Sequence, residues 1–258
     1  MKFAKYLLIF MLFIMSGCST ESKEITVSAA ASLTDALNEV IEVYEKDHPN
    51  VEIHVNLGGS GTLSQQIIQG APPVDLFFSA SLEMFNRVVE EGMIDKEDAI
   101  PLLSNQLVWI QSKDQAIVES IEEMNKIAIG TPETVPAGAY AQQALTSQKL
   151  YDQVKDKLVF TKDVRQVLQY VESENVNAGI VYKTDALQSE KVMVNEELSI
   201  GEHDAIIYPV GIINNSKEKD TTNSFLTFLQ SNEAIKIFKE YGFNEIDGDI
   251  DGSIFSTN

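Results

Sequence analysis

The sequence predicts an α/β protein of two lobes, each a mixed sheet flanked by helices. Three observations carry this expectation. Short apolar and β-branched runs alternate with segments of helical periodicity, the pattern of sheets with helices packed on both faces. Roughly 230 residues follow position 24, enough for one large domain or two small lobes. Two apolar runs, 107–111 and 206–213, stand out as crossovers between lobes, and the second contains Pro209. A proline inside a strand points to an edge or to a switch between sheets. Lobe one then takes residues 25–106 and 208–258, and lobe two takes residues 107–207, with the two crossover strands as the hinge.

Strands are expected at 25–30, 51–57, 74–79, 106–111, 127–130, 158–161, 179–182 and 205–213. After the first strand, Leu33, Ala36, Leu37, Val40 and Tyr44 share one helical face. Leu63, Ile67 and Ile68 do so in the next helix, and Phe85, Val88 and Val89 after Ser81. Val164, Val167, Leu168 and Val171 repeat the pattern. Near the end, Phe225, Phe228, Leu229, Ile235 and Phe238 predict a terminal helical pair. There is no internal repeat and no low-complexity segment.

The first residues read as an address. Lys2 and Lys5 precede an apolar run at 6–15, too short to span a bilayer as a mature helix and suited to a signal h-region. Ser16 and Gly17 before Cys18 resemble the lipobox of bacterial lipoproteins, with Met15 where leucine is usual. The resemblance implies a signal peptide at 1–17, lipidation of Cys18, and a polar tether at 18–24. The protein would then sit on the outer face of the cytoplasmic membrane. Cys18 is the only cysteine, which excludes intrachain disulfides and a cysteine-based structural metal site.

The formal net charge is −20. A binder of nucleic acid or of anionic lipid needs a basic face, so both are excluded as partners. Any anion site in this chain must rely on local dipoles rather than on the overall field.

Four strand-to-helix junctions offer such dipoles. Ser32 and Asp35 have capping-box spacing, which predicts Ser32 as an N-cap. Asn56 to Gly61 runs into Thr62–Gln65, again at capping-box spacing, with Ser60 just ahead. Pro136 is a natural first helical residue before Ala137, and Asp163 is a natural cap before Val164. The first N–H groups of a helix have no intrahelical acceptor and carry roughly half a positive charge. In open α/β sheets, ligands bind at the carboxyl ends of the strands. Two of the four starts come from each lobe, so lobes that face each other would aim all four at one point.

The glycine-rich loop lacks the Lys-Ser/Thr of a Walker A motif and the closing glycine of a nucleophile elbow. The chain has three histidines, none near Ser60 in sequence. A secreted hydrolase using Ser60 is therefore the weaker alternative.

The segments SAAASL, GGSGTLSQQI followed by GAPPVDLFFSA, TPETVPAGAYAQQAL, KDVRQVLQYVE and AGIVYKTDA occur in this order. In this they resemble the periplasmic molybdate-binding proteins of bacterial ABC transporters, from Ile25 to about Phe243. The resemblance implies a type II periplasmic-binding-protein-like fold that closes on a tetrahedral oxyanion, molybdate or tungstate. It implies delivery of that ion to a membrane permease with its ATPase, a monomer, no cofactor and no catalysis. It also implies the ligands: the hydroxyls of Ser32, Ser60 and Tyr182 and the backbone N–H groups of Ala137 and Val164. Molybdenum or tungsten would be held, as its oxyanion, through these five residues.

The chemistry of the donors agrees. A fully deprotonated oxyanion only accepts hydrogen bonds, and hydroxyls and N–H groups donate them. A donor-only site rejects monohydrogen phosphate, whose proton would face a donor. Sulfate passes that test, so only size would reject it, and a sulfate receptor is the rival reading. Arg165 and Lys162 flank Val164 and are expected to pack or to pair at the surface. At the C-terminus, Asp247, Asp249 and Asp251 match the opening half of a calcium loop, but Asn258 stands where a bidentate glutamate is needed. A solvated acidic tail is the expectation there, with calcium as a weak candidate ligand.

Overall fold

The computed structural model describes residues 22–70, 73–121, 123–199, 201–246 and 252–255. The signal segment, Cys18 and most of its tether, and the calcium candidates Asp247, Asp249 and Asp251 lie outside the described residues. Among the described residues, no helix is long and apolar enough to cross a membrane.

The chain begins with β1 (Lys23–Ala30), a 3-10 turn (Ala31–Leu33) and α1 (Thr34–Asp47). Then come β2 (Val51–Gly58), α2 (Ser60–Ile68), β3 (Leu76–Phe78), α3 (Leu82–Glu90) and β4 (Ala99–Ser104). The middle of the chain holds β5 (Leu107–Ser112), β6 (Ile127–Gly130), α4 (Pro136–Ser147), α5 (Tyr151–Val154), β7 (Leu158–Thr161) and α6 (Val164–Glu172). It continues with β8 (Ala178–Tyr182), α7 (Lys183–Leu187) and β9 (Val192–Leu198). Last come β10 (Ile207–Ile212), α8 (Lys219–Leu229), α9 (Asn232–Glu240) and β11 (Asn244–Glu245).

Two mixed sheets result. The six-stranded sheet has the order β11-β4-β10-β3-β1-β2, and the five-stranded sheet has the order β7-β6-β8-β5-β9. β1 runs parallel to β2 and β3, while β10 is antiparallel to β3 and β4. In the second sheet β6 runs parallel to β7 and β8, and β5 is antiparallel to β8 and β9. The chain passes between sheets through residues 105–106 and returns through residues 199–206.

The strands beside these crossings, β5 and β10, each lie wholly inside one sheet. Pro209 therefore marks neither an edge nor a switch. It sits in an interior strand at a bulge, where the register against β4 shifts between Tyr208 and Pro209. The extra residue is Leu102 of β4, and Pro209 pairs with Pro101, so neither partner at this position offers an N–H. The Pro209 carbonyl still accepts from Ser79 N–H at 2.9 Å.

The helices sit where their apolar faces require. Leu33, Leu37, Val40 and Tyr44 are buried beneath α1, and Val167, Leu168 and Val171 beneath α6. Burying one such side chain contributes about 1.5–3 kcal/mol. One continuous core joins both sheets, and a smaller cluster forms around Leu63, Phe77 and Phe85. The C-terminal end is not a solvated tail throughout. Phe255 is buried in the smaller cluster, with its ring 5.6 Å from that of Phe85, and Asn86 donates to the Ile254 carbonyl at 3.1 Å.

The fold places five strand ends together. In the six-stranded sheet β1 and β2 end at Ala30 and Gly58; in the five-stranded sheet β6, β7 and β8 end at Gly130, Thr161 and Tyr182. Each leads directly into a helix or a turn.

Candidate anion-binding site

Ser32, Ser60, Ala137, Val164 and Tyr182 all line one cavity of about 10 Å³. A space that size takes about one water-sized sphere. Gly59, Ala80, Val135 and Pro136 complete much of the lining.

Ser60 opens α2 and is fully buried. Its Oγ accepts the Ala80 N–H at 3.0 Å, so its own proton is left to donate into the cavity. Ser32 does not cap α1, as its spacing predicts. It lies inside the 3-10 turn, no side chain caps α1, and the turn is closed by Thr34 Oγ1 donating to the Ala31 carbonyl at 2.6 Å. Ser32 Oγ instead lies 2.9 Å from the Tyr208 hydroxyl. Asn105 Nδ2 donates to that hydroxyl at 3.1 Å and to Thr184 Oγ1 at 2.9 Å, while Asn105 Oδ1 accepts from Gln106 N–H at 2.8 Å. Either hydroxyl of the Ser32–Tyr208 pair can donate; with Tyr208 as donor, Ser32 keeps its proton for the cavity.

Tyr182, at the end of β8, is fully buried, and its hydroxyl lies near that of Tyr208 but makes no aligned hydrogen bond. Burial pushes its pKa well above the ordinary 10.0, so it remains a donor. Tyr208 meets it edge-on, ring centroids 5.8 Å apart, but spends its own hydroxyl on Ser32 and Asn105.

The remaining donors are backbone groups. Ala137 follows Pro136 in the first turn of α4, and Val164 is the first residue of α6. Neither N–H has an intrahelical acceptor, and each lies at a positive helix pole. Asp163 caps α6 as its sequence predicts, accepting Gln166 N–H at 2.8 Å.

The glycines flanking Ser60 serve a close approach between the sheets. Gly61 N–H donates to the Thr134 carbonyl at 3.0 Å. A Cβ on Gly59 would lie 2.7 Å from the Thr134 oxygen, and one on Gly61 would lie 2.7 Å from Thr134 Cα.

Arg165 pairs both with a partly exposed carboxylate and with a buried one. It hydrogen-bonds Asp35 of α1, and its Nε lies 2.8 Å from Asp185 Oδ1, a charge contact without hydrogen-bond alignment. Asp185 is completely buried. That burial raises its carboxyl from 3.8 to about 6, against the pull of Arg165. A folded-state pKa above the unfolded value means that the native state binds the proton more tightly. This group's contribution to stability therefore grows as pH falls through 6 towards 4 and is lost as pH rises. Relative to Asp185→Asn, the wild type should gain roughly 1 kcal/mol per pH unit across that window. Urea denaturation of both proteins at pH 4, 5 and 6 checks this; a difference that stays constant with pH contradicts it.

Ser60 has no base to activate it. No histidine lines the cavity. His48 stacks on Tyr44 at 4.0 Å, His54 lies between Glu24 and Glu52, and His203 packs beside Tyr140.

Sequence reasoning missed Tyr208, Asn105, Ala80 and Thr134. Each acts through a contact between segments far apart in the chain, and no local pattern announces it. Pro209, next to Tyr208 and opposite the β4 bulge, is the nearest signal.

Comparisons with known proteins show the family of the chain. The profile of a family described as bacterial extracellular solute-binding protein matches residues 25–244. YvgL of Bacillus subtilis, provisionally named an ABC transporter substrate-binding lipoprotein, is 47% identical over 242 residues, covering 89% of this chain and 93% of that protein. The molybdate-binding protein ModA of Haemophilus influenzae is 38% identical over 232 residues, covering 86% and 91%. Among solved structures, the substrate-binding domain of a provisionally assigned molybdenum ABC transporter from Clostridium difficile superposes with a TM-score of 0.67. It is 42% identical, with 88% of this chain and 100% of that one covered. These relatives are named as binding and transport proteins, not as enzymes, in keeping with a site that has donors and no base. The chain belongs to the family of bacterial extracellular solute-binding proteins.

Proposed function

We propose that this protein captures a fully deprotonated tetrahedral oxyanion, molybdate or tungstate, and delivers it to the permease of an ABC transporter. One observation carries the reading. The Tyr182 hydroxyl is completely buried, without an aligned hydrogen-bond partner, and borders a cavity also lined by Ser60 and by the first turns of α4 and α6. An orphaned buried hydroxyl costs about 1–3 kcal/mol, which a ligand oxygen would recover. Ser32, Ser60, Ala137, Val164 and Tyr182 are the ligands in this reading, and the molybdate-binding names of relatives such as ModA support it.

Residues 25–106 and 208–258 form one lobe and residues 107–207 the other. Closure is a hinge motion at the two crossings that brings the poles of α4 and α6 against Ser32 and Ser60. Opening withdraws half of the donors at once, which releases the ion to the permease. No cationic side chain is a ligand, so the ion leaves without breaking a direct ion pair. Cleavage after Gly17 and lipidation of Cys18 hold the monomer on the outer face of the cytoplasmic membrane, within reach of its permease. A serine hydrolase has no support from the site, because Ser60 lacks a base.

A thermal-shift panel with molybdate, tungstate, sulfate, phosphate and chromate tests the reading. A micromolar ligand at millimolar concentration adds about 4 kcal/mol to native stability. Large shifts are expected with molybdate and tungstate and none with phosphate at neutral pH. A sulfate shift equal to that of molybdate would replace the molybdate reading with the sulfate one.

A further inference from the structure

We propose that Arg165 is a closure latch that ties the two lobes together beside the bound ion, a role that rests on the oxyanion reading for its ligand.

The three members of the latch are each next to a different proposed donor. Asp35 lies three residues after Ser32, Arg165 one residue after Val164, and Asp185 three residues after Tyr182. Asp35 belongs to α1, which packs on the six-stranded sheet, whereas Arg165 and Asp185 belong to α6 and α7 of the five-stranded sheet. The pair Arg165–Asp185 therefore stays within one lobe during hinge motion. The bond from Arg165 to Asp35 crosses the cleft and exists only when the lobes are together.

The geometry divides the guanidinium between two tasks. Its Nε lies 2.8 Å from the fully buried Asp185 carboxylate, a charge contact that holds the group near α7. Its Nη2 is left to reach Asp35. Arginine offers a planar fork that serves both carboxylates, which the point charge of a lysine ammonium does not. Two carboxylates against one guanidinium leave no surplus positive charge, so the group does not act by attracting the anion. It is a positioning residue, holding the Val164 end of α6 against the turn that carries Ser32. Asp35 is 40% exposed, so salt should weaken this arm.

Calorimetric titration with sodium molybdate tests the latch on wild type, Asp35→Asn, Arg165→Lys and the double variant. Each single substitution should weaken binding about tenfold, with the wild-type advantage shrinking at high salt. The double variant should bind no worse than the weaker single one. Binding by Asp35→Asn within twofold of wild type, or effects that multiply in the double variant, would overturn the latch while leaving the oxyanion reading intact. Absence of molybdate binding by the wild type would instead defeat the oxyanion reading. Small-angle scattering of the ligand-free proteins then decides the latch, because a wild type more compact than Asp35→Asn supports it and equal radii reject it.

Discussion

Gly61→Ala will leave the ligand-free protein folded and weaken molybdate binding by about 30-fold or more. The added Cβ would lie 2.7 Å from Thr134 Cα and 2.9 Å from the Thr134 oxygen. Both atoms are backbone, in a turn fixed by Thr134 N–H and Val135 N–H donating to the Thr131 carbonyl at 3.1 and 2.8 Å. A flexible side chain would yield to the methyl group, but this turn does not. The lobes relieve the clash by staying apart, which also forfeits the hydrogen bond from Gly61 to Thr134. Overpacking costs about 1–3 kcal/mol and the lost bond about 1 kcal/mol. The open form has no clash, so the melting temperature without ligand should not fall. Paired melting and calorimetric measurements check both halves. Wild-type affinity in this variant would show that the glycine loop does not meet the other lobe when the ion is bound.

Tyr182→Phe should move stability and affinity in opposite directions. Without ligand, the substitution removes a buried hydroxyl that makes no aligned hydrogen bond, so the protein should melt at the same temperature or higher. With ligand, one oxyanion oxygen loses its donor, and affinity should fall by about 1–3 kcal/mol. A merely structural tyrosine would behave differently: its loss would lower stability and leave affinity alone. Unchanged molybdate affinity removes Tyr182 from the site.

Much of the fold follows from local patterns, because apolar periodicity reports which face of an element is buried. The faces of α1, α3 and α6 are read correctly for that reason, as are the Asp163 cap and Pro136 at the start of α4. β9 escapes the same reading. It is an edge strand whose Asn195, Glu196 and Glu197 are exposed, and such a strand needs no apolar alternation. β4 escapes because Pro101 disguises a strand that pairs with β10 at its bulge.

The site divides in the same way. Its strand ends and helix starts are visible along the chain, and the ordered motifs supply the five residues that line the cavity. What holds them is not visible. The Ser32–Tyr208 contact joins residues 176 positions apart, and Arg165–Asp35 joins residues 130 positions apart. Asp35 looks like half of a capping box in the sequence, yet its carboxylate is claimed by Arg165, and Ser32 turns to Tyr208. Tertiary partners outbid the local cap for both side chains.

The central claim is that one oxyanion sits between the four helix starts and Tyr182. Diffraction from crystals grown with sodium molybdate, recorded across the molybdenum absorption edge, tests it most directly. The account predicts a single strong anomalous peak within the cavity, with oxygens in hydrogen-bond reach of Ser32, Ser60 and Tyr182 and of the Ala137 and Val164 N–H groups. A peak elsewhere, or none at saturating molybdate, would contradict it.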